Sequence, residues 1–386
     1  MSVPRLTGTR FAGPETGDLL LVGPSLGTSA TALWAAAAER LSEHVRVVGW
    51  DLPGHGRSQP TASPFTIAEL GAAVLALADE IAPGAAFHYA GDSIGGAVGL
   101  QLMLDAPVRV LTATLLCTAA VFGDHSVWRD RAALVRQSGT VAVIDIAQQR
   151  WFAAGLTDLH PVTASALLDT LRSADNESYA IACEALASFD VSNRLAEITN
   201  PVLAIAGEQD IATPVQSLRH IVSEVQNGRL VELDGVAHLA PAEAPVKVAH
   251  LIVGHVRPPT PFGTAMAVRR DVLGDDHVDR AVAATTPFTA DFQDLITRYA
   301  WGSIWTRPGL DRRTRSLITL TALVARGRHE ELAMHLRAAR RNGLTNGEIK
   351  ELLLQTAVYC GVPEANSAFH IANTVLADYD AEQERL

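Results

Sequence analysis

The chain has 386 residues, long enough for two domains, and 48% of them are hydrophobic against 19% charged, the balance of a soluble globular protein. A formal net charge of −11 argues against nucleic acid as a partner, because phosphate binding needs clustered positive charge. Cys117, Cys183 and Cys360 make neither a disulfide framework nor a CxxC metal or redox site, no stretch is apolar enough to span a bilayer, and Met1–Thr7 lacks the apolar core of a signal peptide, so a cytoplasmic protein without membrane association is expected.

Leu19–Val22 reads as a buried strand, followed by the loop Gly23-Pro24-Ser25-Leu26-Gly27-Thr28. Arg46–Trp50 is a second strand and runs into Asp51-Leu52-Pro53-Gly54-His55-Gly56-Arg57-Ser58. Ala86–Ala90 is a third, Val110–Leu116 a fourth, Pro201–Gly207 a fifth and Gly228–Leu233 a sixth, with alanine- and leucine-rich helical segments between the earlier ones. Strands alternating with helices imply a parallel sheet covered on both faces, with ligands at the C-terminal strand ends. From about 123 to 192 the pattern is helical, and this stretch is expected to form a cap over the sheet. It contains Trp128, Arg129, Arg131, Arg150, Trp151 and Phe152.

The third strand ends in Gly91-Asp92-Ser93-Ile94-Gly95-Gly96, and a small-residue helix follows. Gly-x-Ser-x-Gly between strand and helix is the pattern of a nucleophile elbow, with glycines where strand and helix approach too closely for a Cβ. A serine hydroxyl needs a base, and the base needs an orienting group. Ser93, Asp210 and His238 stand in the order Ser, Asp, His, each just past a strand, so His238 is the expected base and Asp210 its orienter. Asp210 could instead cap a turn, and Asp234 and Asp92 are its rivals. His55 and His88 read as structural. The expected oxyanion donors are the backbone N–H groups of Ile94 and Leu26.

Residues 1–256 resemble 3-oxoadipate enol-lactonases through Ser25-Leu26-Gly27-Thr28, Asp51-x-Pro53-Gly54-His55-Gly56-x-Ser58, Gly91-Asp92-Ser93-Ile94-Gly95-Gly96 and Arg150-Trp151-Phe152. The resemblance implies an α/β-hydrolase fold with a helical cap, and a serine hydrolase that opens an enol-lactone bearing a carboxylate. Arg150 and Trp151 would then contact substrate, Arg150 through the carboxylate. Cap packing and a surface charge are the alternative for these two.

Residues 257–263 form a Pro-rich linker, since prolines there cannot continue a helix. Over 264–386 the apolar spacing is helical in 291–304, 312–325, 330–342, 345–359 and 365–378, and Thr345-Asn346-Gly347-Glu348 reads as a capping box. This all-α domain is expected to bury surface against copies of itself, making a homo-oligomer.

That domain resembles 4-carboxymuconolactone decarboxylases (an AhpD-like fold). The matching stretches include Ala265-Met266-Ala267-Val268-Arg269-Arg270, Trp305-Thr306-Arg307-Pro308-Gly309-Leu310, Glu331-Leu332-Ala333-Met334-His335 and Gln355–Asn366. Related thiol peroxidases carry a CxxC where this chain has Arg328 and Glu331, so peroxidase chemistry is not expected. The decarboxylation that the resemblance implies needs neither cofactor nor metal, because the conjugated lactone carbonyl is the electron sink. His335 is the expected acid or dienolate partner, with Glu331 one turn away to orient it, and Arg312, Arg313 and Arg315 are candidates for carboxylate recognition. A surface Glu–His pair and solvated arginines are the alternatives, and His370 and Tyr359 are weaker candidates.

Together these readings give a fused bifunctional enzyme of protocatechuate degradation. One domain would decarboxylate 4-carboxymuconolactone to 3-oxoadipate enol-lactone, and the other would hydrolyse that lactone to 3-oxoadipate. A general serine esterase or cofactor-free perhydrolase with a helical oligomerisation domain is the competing reading.

Overall fold

The computed structural model describes residues 3–11, 13, 14, 17–257 and 261–384. Residues 258–260 of the expected linker lie outside the described residues, and 261–263 are not linker but the first turn of the helix Pro261–Leu273, because a proline at the first helical position loses no hydrogen bond. The chain divides into two compact units, Met1–Pro258 and Pro259–Leu386.

The first unit is built on one seven-stranded sheet in the order β1-β3-β2-β4-β5-β6-β7. The strands are β1 (Thr7–Arg10), β2 (Leu19–Gly23), β3 (Arg46–Asp51), β4 (Phe87–Asp92), β5 (Val110–Leu116), β6 (Val202–Gly207) and β7 (Gly228–Leu233). All pairings are parallel except β1 with β3. β1 escapes the sequence pattern because Thr-Gly-Thr-Arg has no apolar residue, as suits a short edge strand. β2, β4 and β6 are buried along their whole length, as expected for parallel strands covered on both faces. Between β5 and β6 lie the helices His125–Ser138, Ile144–Trp151, Leu156–Leu159, Pro161–Ser173 and Asn176–Ala187.

The sheet positions the turn after β4. Ser93 has φ 55° and ψ −114°, a conformation that side chains other than hydrogen rarely adopt. It is pinned from three sides. Its N–H donates to Leu116 O at 2.9 Å, Thr118 Oγ1 donates to Ser93 O at 2.6 Å, and Gly95 N–H donates to Pro24 O at 3.0 Å. A Cβ on Gly91 would lie 2.2 Å from Gly95 O, and one on Gly95 2.7 Å from Pro24 O. Backbone packs on backbone here, and only glycine fits.

Among its described residues the second unit consists of helices joined by short turns and loops. It contains Pro261–Leu273, Asp275–Ala283, Ala290–Ile296, a π-helix over Thr297–Ile304, Arg312–Ala325, His329–Arg341, Asn346–Cys360 and Val362–Gln383. The capping box forms: Thr345 Oγ1 accepts from Glu348 N–H at 3.2 Å and the Glu348 carboxylate accepts from Thr345 N–H at 2.8 Å. The first two helices lie outside the stretches read as helical from the sequence, although Ala265, Val272 and Leu273 share one face of the first. No helix among the described residues is long and apolar enough to cross a membrane.

Gly91→Ala is expected to destabilise the first unit by about 3 kcal/mol or more, because neither backbone can yield without moving the sheet. Equilibrium unfolding in urea checks this, and an unchanged midpoint would contradict it.

Candidate active sites

Asp210 follows β6 and His238 follows β7, so sheet topology brings both to the strand ends where Ser93 stands. His238 Nδ1 and Asp210 Oδ2 are 2.9 Å apart, and both side chains are buried. The Asp210 carboxylate also accepts from Ala212 N–H (2.8 Å), Thr213 N–H (3.0 Å) and Thr213 Oγ1 (2.7 Å). Burial alone would raise the Asp210 pKa, but the His238 imidazole and these hydrogen bonds outweigh it and hold the carboxyl below the usual aspartate value. Of the two rivals, Asp234 is exposed. Asp92 is buried, and burial, reinforced by the Asp210 and Glu243 charges and only partly opposed by Ser25, pushes its pKa well above the ordinary range.

The loop that carries His238 is held by a carboxylate that sequence reasoning passed over. Glu243 accepts from Ala237 N–H (3.3 Å) and Leu239 N–H (3.3 Å), on either side of His238, and from Ala153 N–H (3.1 Å) in the cap. His238 N–H donates to Trp151 O at 3.1 Å. The base is therefore tied to the end of the helix that carries Arg150.

Ser93 and His238 line one small cavity with Ser25, Leu26, Arg150 and Trp151. Among the described residues no hydrogen bond joins Ser93 to His238, and such bonds commonly tighten only when substrate is bound. The N–H groups of Ile94, first residue of its helix, and of Leu26 make no hydrogen bond among the described residues. They are therefore free to meet an oxyanion. Gly27, at φ 87°, turns the loop under Trp151 and Leu171.

The cavity continues into a second one of about 190 Å³, lined by Phe122, Trp128, Arg131 and Arg150. Arg131 stacks on Trp128, with 5.4 Å from guanidinium to ring centroid. Neither Arg131 nor Arg150 has an ion-pair partner among the described residues. Burial and the Arg131 charge hold Arg150 below the usual arginine value, against the pull of Asp210 and Tyr179. Asp124 also lines this cavity, but its carboxylate accepts from Ser126 N–H at 2.8 Å and pairs with neither arginine, so the two guanidinium groups suit a negatively charged ligand. Arg131 was visible in the sequence only as one cap arginine among several.

In the helical unit, His335 is largely shielded, and burial, with a smaller push from His277, brings its pKa down to about 4. Glu331 is exposed and is not hydrogen-bonded to His335. Arg312 pairs with Asp271 at 3.2 Å, Arg313 with Glu348, and Arg315 donates to the carbonyls of Leu310 (3.1 Å) and Arg307 (2.9 Å). Arg312 and Arg313 are thus engaged by carboxylates of two other helices, and Arg315 by carbonyls just before its own helix. His370 and Tyr359 are exposed. Among the described residues no group of three or more His, Cys, Asp or Glu side chains is placed to hold a metal ion.

Comparison with known proteins divides the chain in the same way. The model of the alpha/beta hydrolase family matches residues 19–251, and that of the carboxymuconolactone decarboxylase family matches 290–374. The chain is 47% identical over 125 residues to the 4-carboxymuconolactone decarboxylase of Acinetobacter baylyi, covering 32% of this chain and 93% of that one. It is 33% identical over 234 residues to 3-oxoadipate enol-lactonase 2 of the same organism, covering 60% of this chain and 86% of that one. The crystal structure of the enol-lactonase from Burkholderia xenovorans LB400 superposes with a TM-score of 0.62 at 30% identity, covering 65% of this chain and 96% of that one.

Asp210→Asn is expected to lower hydrolytic kcat about 10³- to 10⁴-fold, because the imidazole loses its orienting carboxylate. It is also expected to alter acid stability in a defined sense. A carboxyl whose folded pKa is depressed stabilises the fold above its ordinary pKa of about 4, and that stability is lost as pH falls through the folded value. The Asn variant should therefore lose less stability than the parent between pH 5 and acid denaturation, as read from melting temperatures.

Proposed function

Because the chain belongs to the alpha/beta hydrolase family over 19–251 and to the carboxymuconolactone decarboxylase family over 290–374, we propose that it is a bifunctional enzyme of protocatechuate degradation. In this reading the helical unit decarboxylates 4-carboxymuconolactone to 3-oxoadipate enol-lactone and carbon dioxide. The first unit then hydrolyses the enol-lactone to 3-oxoadipate. The observation that carries the reading is the presence, in one chain, of likeness to the enzymes of two consecutive steps, with 33% and 47% identity over most of each relative's length.

In the hydrolytic unit, Ser93 Oγ attacks the lactone carbonyl while His238 takes its proton and Asp210 steadies the resulting imidazolium. The Ile94 and Leu26 N–H groups receive the oxyanion. Collapse expels the ring oxygen as an enol, which takes a proton from His238 and becomes the ketone. Water, activated by the same imidazole, then releases the acid from Ser93. Arg150, with Arg131 beside it, receives the carboxylate that the lactone carries, and Trp151 walls the site. A preference for anionic lactones separates this reading from a general esterase or perhydrolase.

In the helical unit, the bond to the departing carboxylate breaks and its electron pair delocalises through the double bond onto the lactone carbonyl. With a pKa near 4, His335 is a neutral imidazole at pH 7. It suits hydrogen bonding to the dienolate better than service as a charged acid, and Glu331 stands one helical turn from it. Phe288, Phe292, Tyr299, Val358, Tyr359 and Val362 are exposed on this unit, and we propose that they are covered by self-association.

Ser93→Ala is expected to release carbon dioxide from 4-carboxymuconolactone at the parent rate while enol-lactone accumulates, followed by gas evolution and ultraviolet absorbance. Loss of both activities would count against two separate sites. Arg150→Gln is expected to raise KM for the enol-lactone at least tenfold, about 1.4 kcal/mol, and to leave hydrolysis of an uncharged aryl ester near the parent rate.

A further inference from the structure

Helix Pro261–Leu273 turns Ala265, Arg269, Val272 and Leu273 into the interior of the helical unit. Ala265, Val272 and Leu273 join Val278, Trp301 and Ala338 in a small apolar core. Arg269 is only 7% exposed and is the one buried arginine among the described residues. Its guanidinium donates to Thr297 Oγ1 and Gln293 Oε1, each at 3.1 Å, and its Nε–H has no partner. Both acceptors are neutral. Among the described residues no carboxylate lies within ion-pair distance of it, whereas the more exposed Arg270 next to it pairs with Asp275 and Asp279. Burial lowers the Arg269 pKa and no acidic neighbour opposes the shift.

A buried cation without a counter-ion is costly, and a fold that retains one has a use for its charge. The surroundings are specialised in a second way. The guanidinium grips Thr297, the first residue of the π-helix Thr297–Ile304, and such irregular turns concentrate at functional sites. The same segment carries Trp301, packed at a tilt of 34° against Trp305 with ring centroids 5.2 Å apart. On the next helix, half-buried His277 lines a cavity of about 510 Å³ with Met334, the arginines Arg280 and Arg341, and the acids Asp276 and Glu382. Helix Pro261–Leu273 packs against both the helix that carries His277 and the one that carries His335, and the Arg269 charge is felt at His277 and that of His277 at His335.

We propose that Arg269 is the anion-binding residue of the decarboxylating site, holding a carboxylate that the lactone keeps through the reaction, with His277 between it and His335. This rests on the decarboxylase reading above and replaces Arg312, Arg313 and Arg315 in the role of carboxylate recognition. The retained carboxylate is the fitting partner. A cation fixed on the departing group would stabilise charge that the transition state loses, and would slow the bond cleavage. The step balances as follows: the carbon–carbon bond breaks, carbon dioxide leaves, and its electron pair passes to the lactone carbonyl oxygen. A proton from solvent, passed through an imidazole, then restores the C–H bond.

The test uses the full chain as parent, Arg269→Gln, Arg269→Lys and His277→Gln, with kcat and KM for carbon dioxide release from 4-carboxymuconolactone. Enol-lactone hydrolysis by the same preparations controls for the first unit, and far-ultraviolet circular dichroism for the second. Arg269→Gln is expected to raise KM at least 50-fold, Arg269→Lys to recover part of that, and His277→Gln to lower kcat/KM about tenfold, with lactone hydrolysis unchanged. Should Arg269→Gln lose helicity, His277→Gln decides. Variants that decarboxylate within threefold of the parent would overturn the assignment and leave the decarboxylase reading standing. A parent that releases no carbon dioxide would remove that reading and the assignment together.

Discussion

A single buried hydrogen bond, 2.9 Å between His238 and Asp210, sets the demands on the first unit. An imidazole serves as base at a serine only when its other nitrogen is held, and the holding carboxylate must remain charged inside the protein. Three further hydrogen bonds on Asp210 meet the second demand. Glu243 and the Trp151 carbonyl meet the first, by fixing the backbone on both sides of His238. Parallel β4, β6 and β7 then deliver Ser93, Asp210 and His238 to the same end of one sheet, although they are far apart in the chain.

The two units differ in fold but share a device. Each keeps arginine charge where solvent is scarce and gives it no acidic partner: Arg150 with Arg131 in the first, Arg269 in the second. Under the proposed pathway both substrates are lactones that carry carboxylates, so the missing counter-ion in each unit is supplied by the ligand. Desolvation makes such a pairing more valuable than it would be at the surface, and it discriminates against uncharged analogues that leave the cation unmet. The product of the helical unit is the substrate of the hydrolytic one, which gives their covalent fusion a chemical sense.

Much of this was legible in the sequence where local sterics or strict order constrain it. Gly91 and Gly95 announce Ser93 because a Cβ at either would strike backbone, and Asp210 and His238 announce themselves by standing just beyond apolar strands. What stayed hidden depends on packing between elements. Arg269 and Arg270 are adjacent and chemically identical in the sequence, yet one is buried beside Thr297 and the other pairs with surface aspartates. Arg312, Arg313 and Arg315 were candidates because arginine grips carboxylates bidentately, but ion pairs and backbone carbonyls engage them in the fold. Glu243 gave no signal, since its function lies in three backbone N–H groups that carry no residue identity.

Covalent trapping of the nucleophile is the most direct measurement of the central claim, that Ser93 is activated by the His238–Asp210 pair. The full chain is treated with a small alkyl fluorophosphonate and the adduct is located by peptide mass spectrometry. One phosphonyl group per chain, on Ser93, formed at a rate that falls steeply in His238→Ala, is the expected result. An adduct on another residue, or labelling of Ser93 at the same rate without His238, would contradict it.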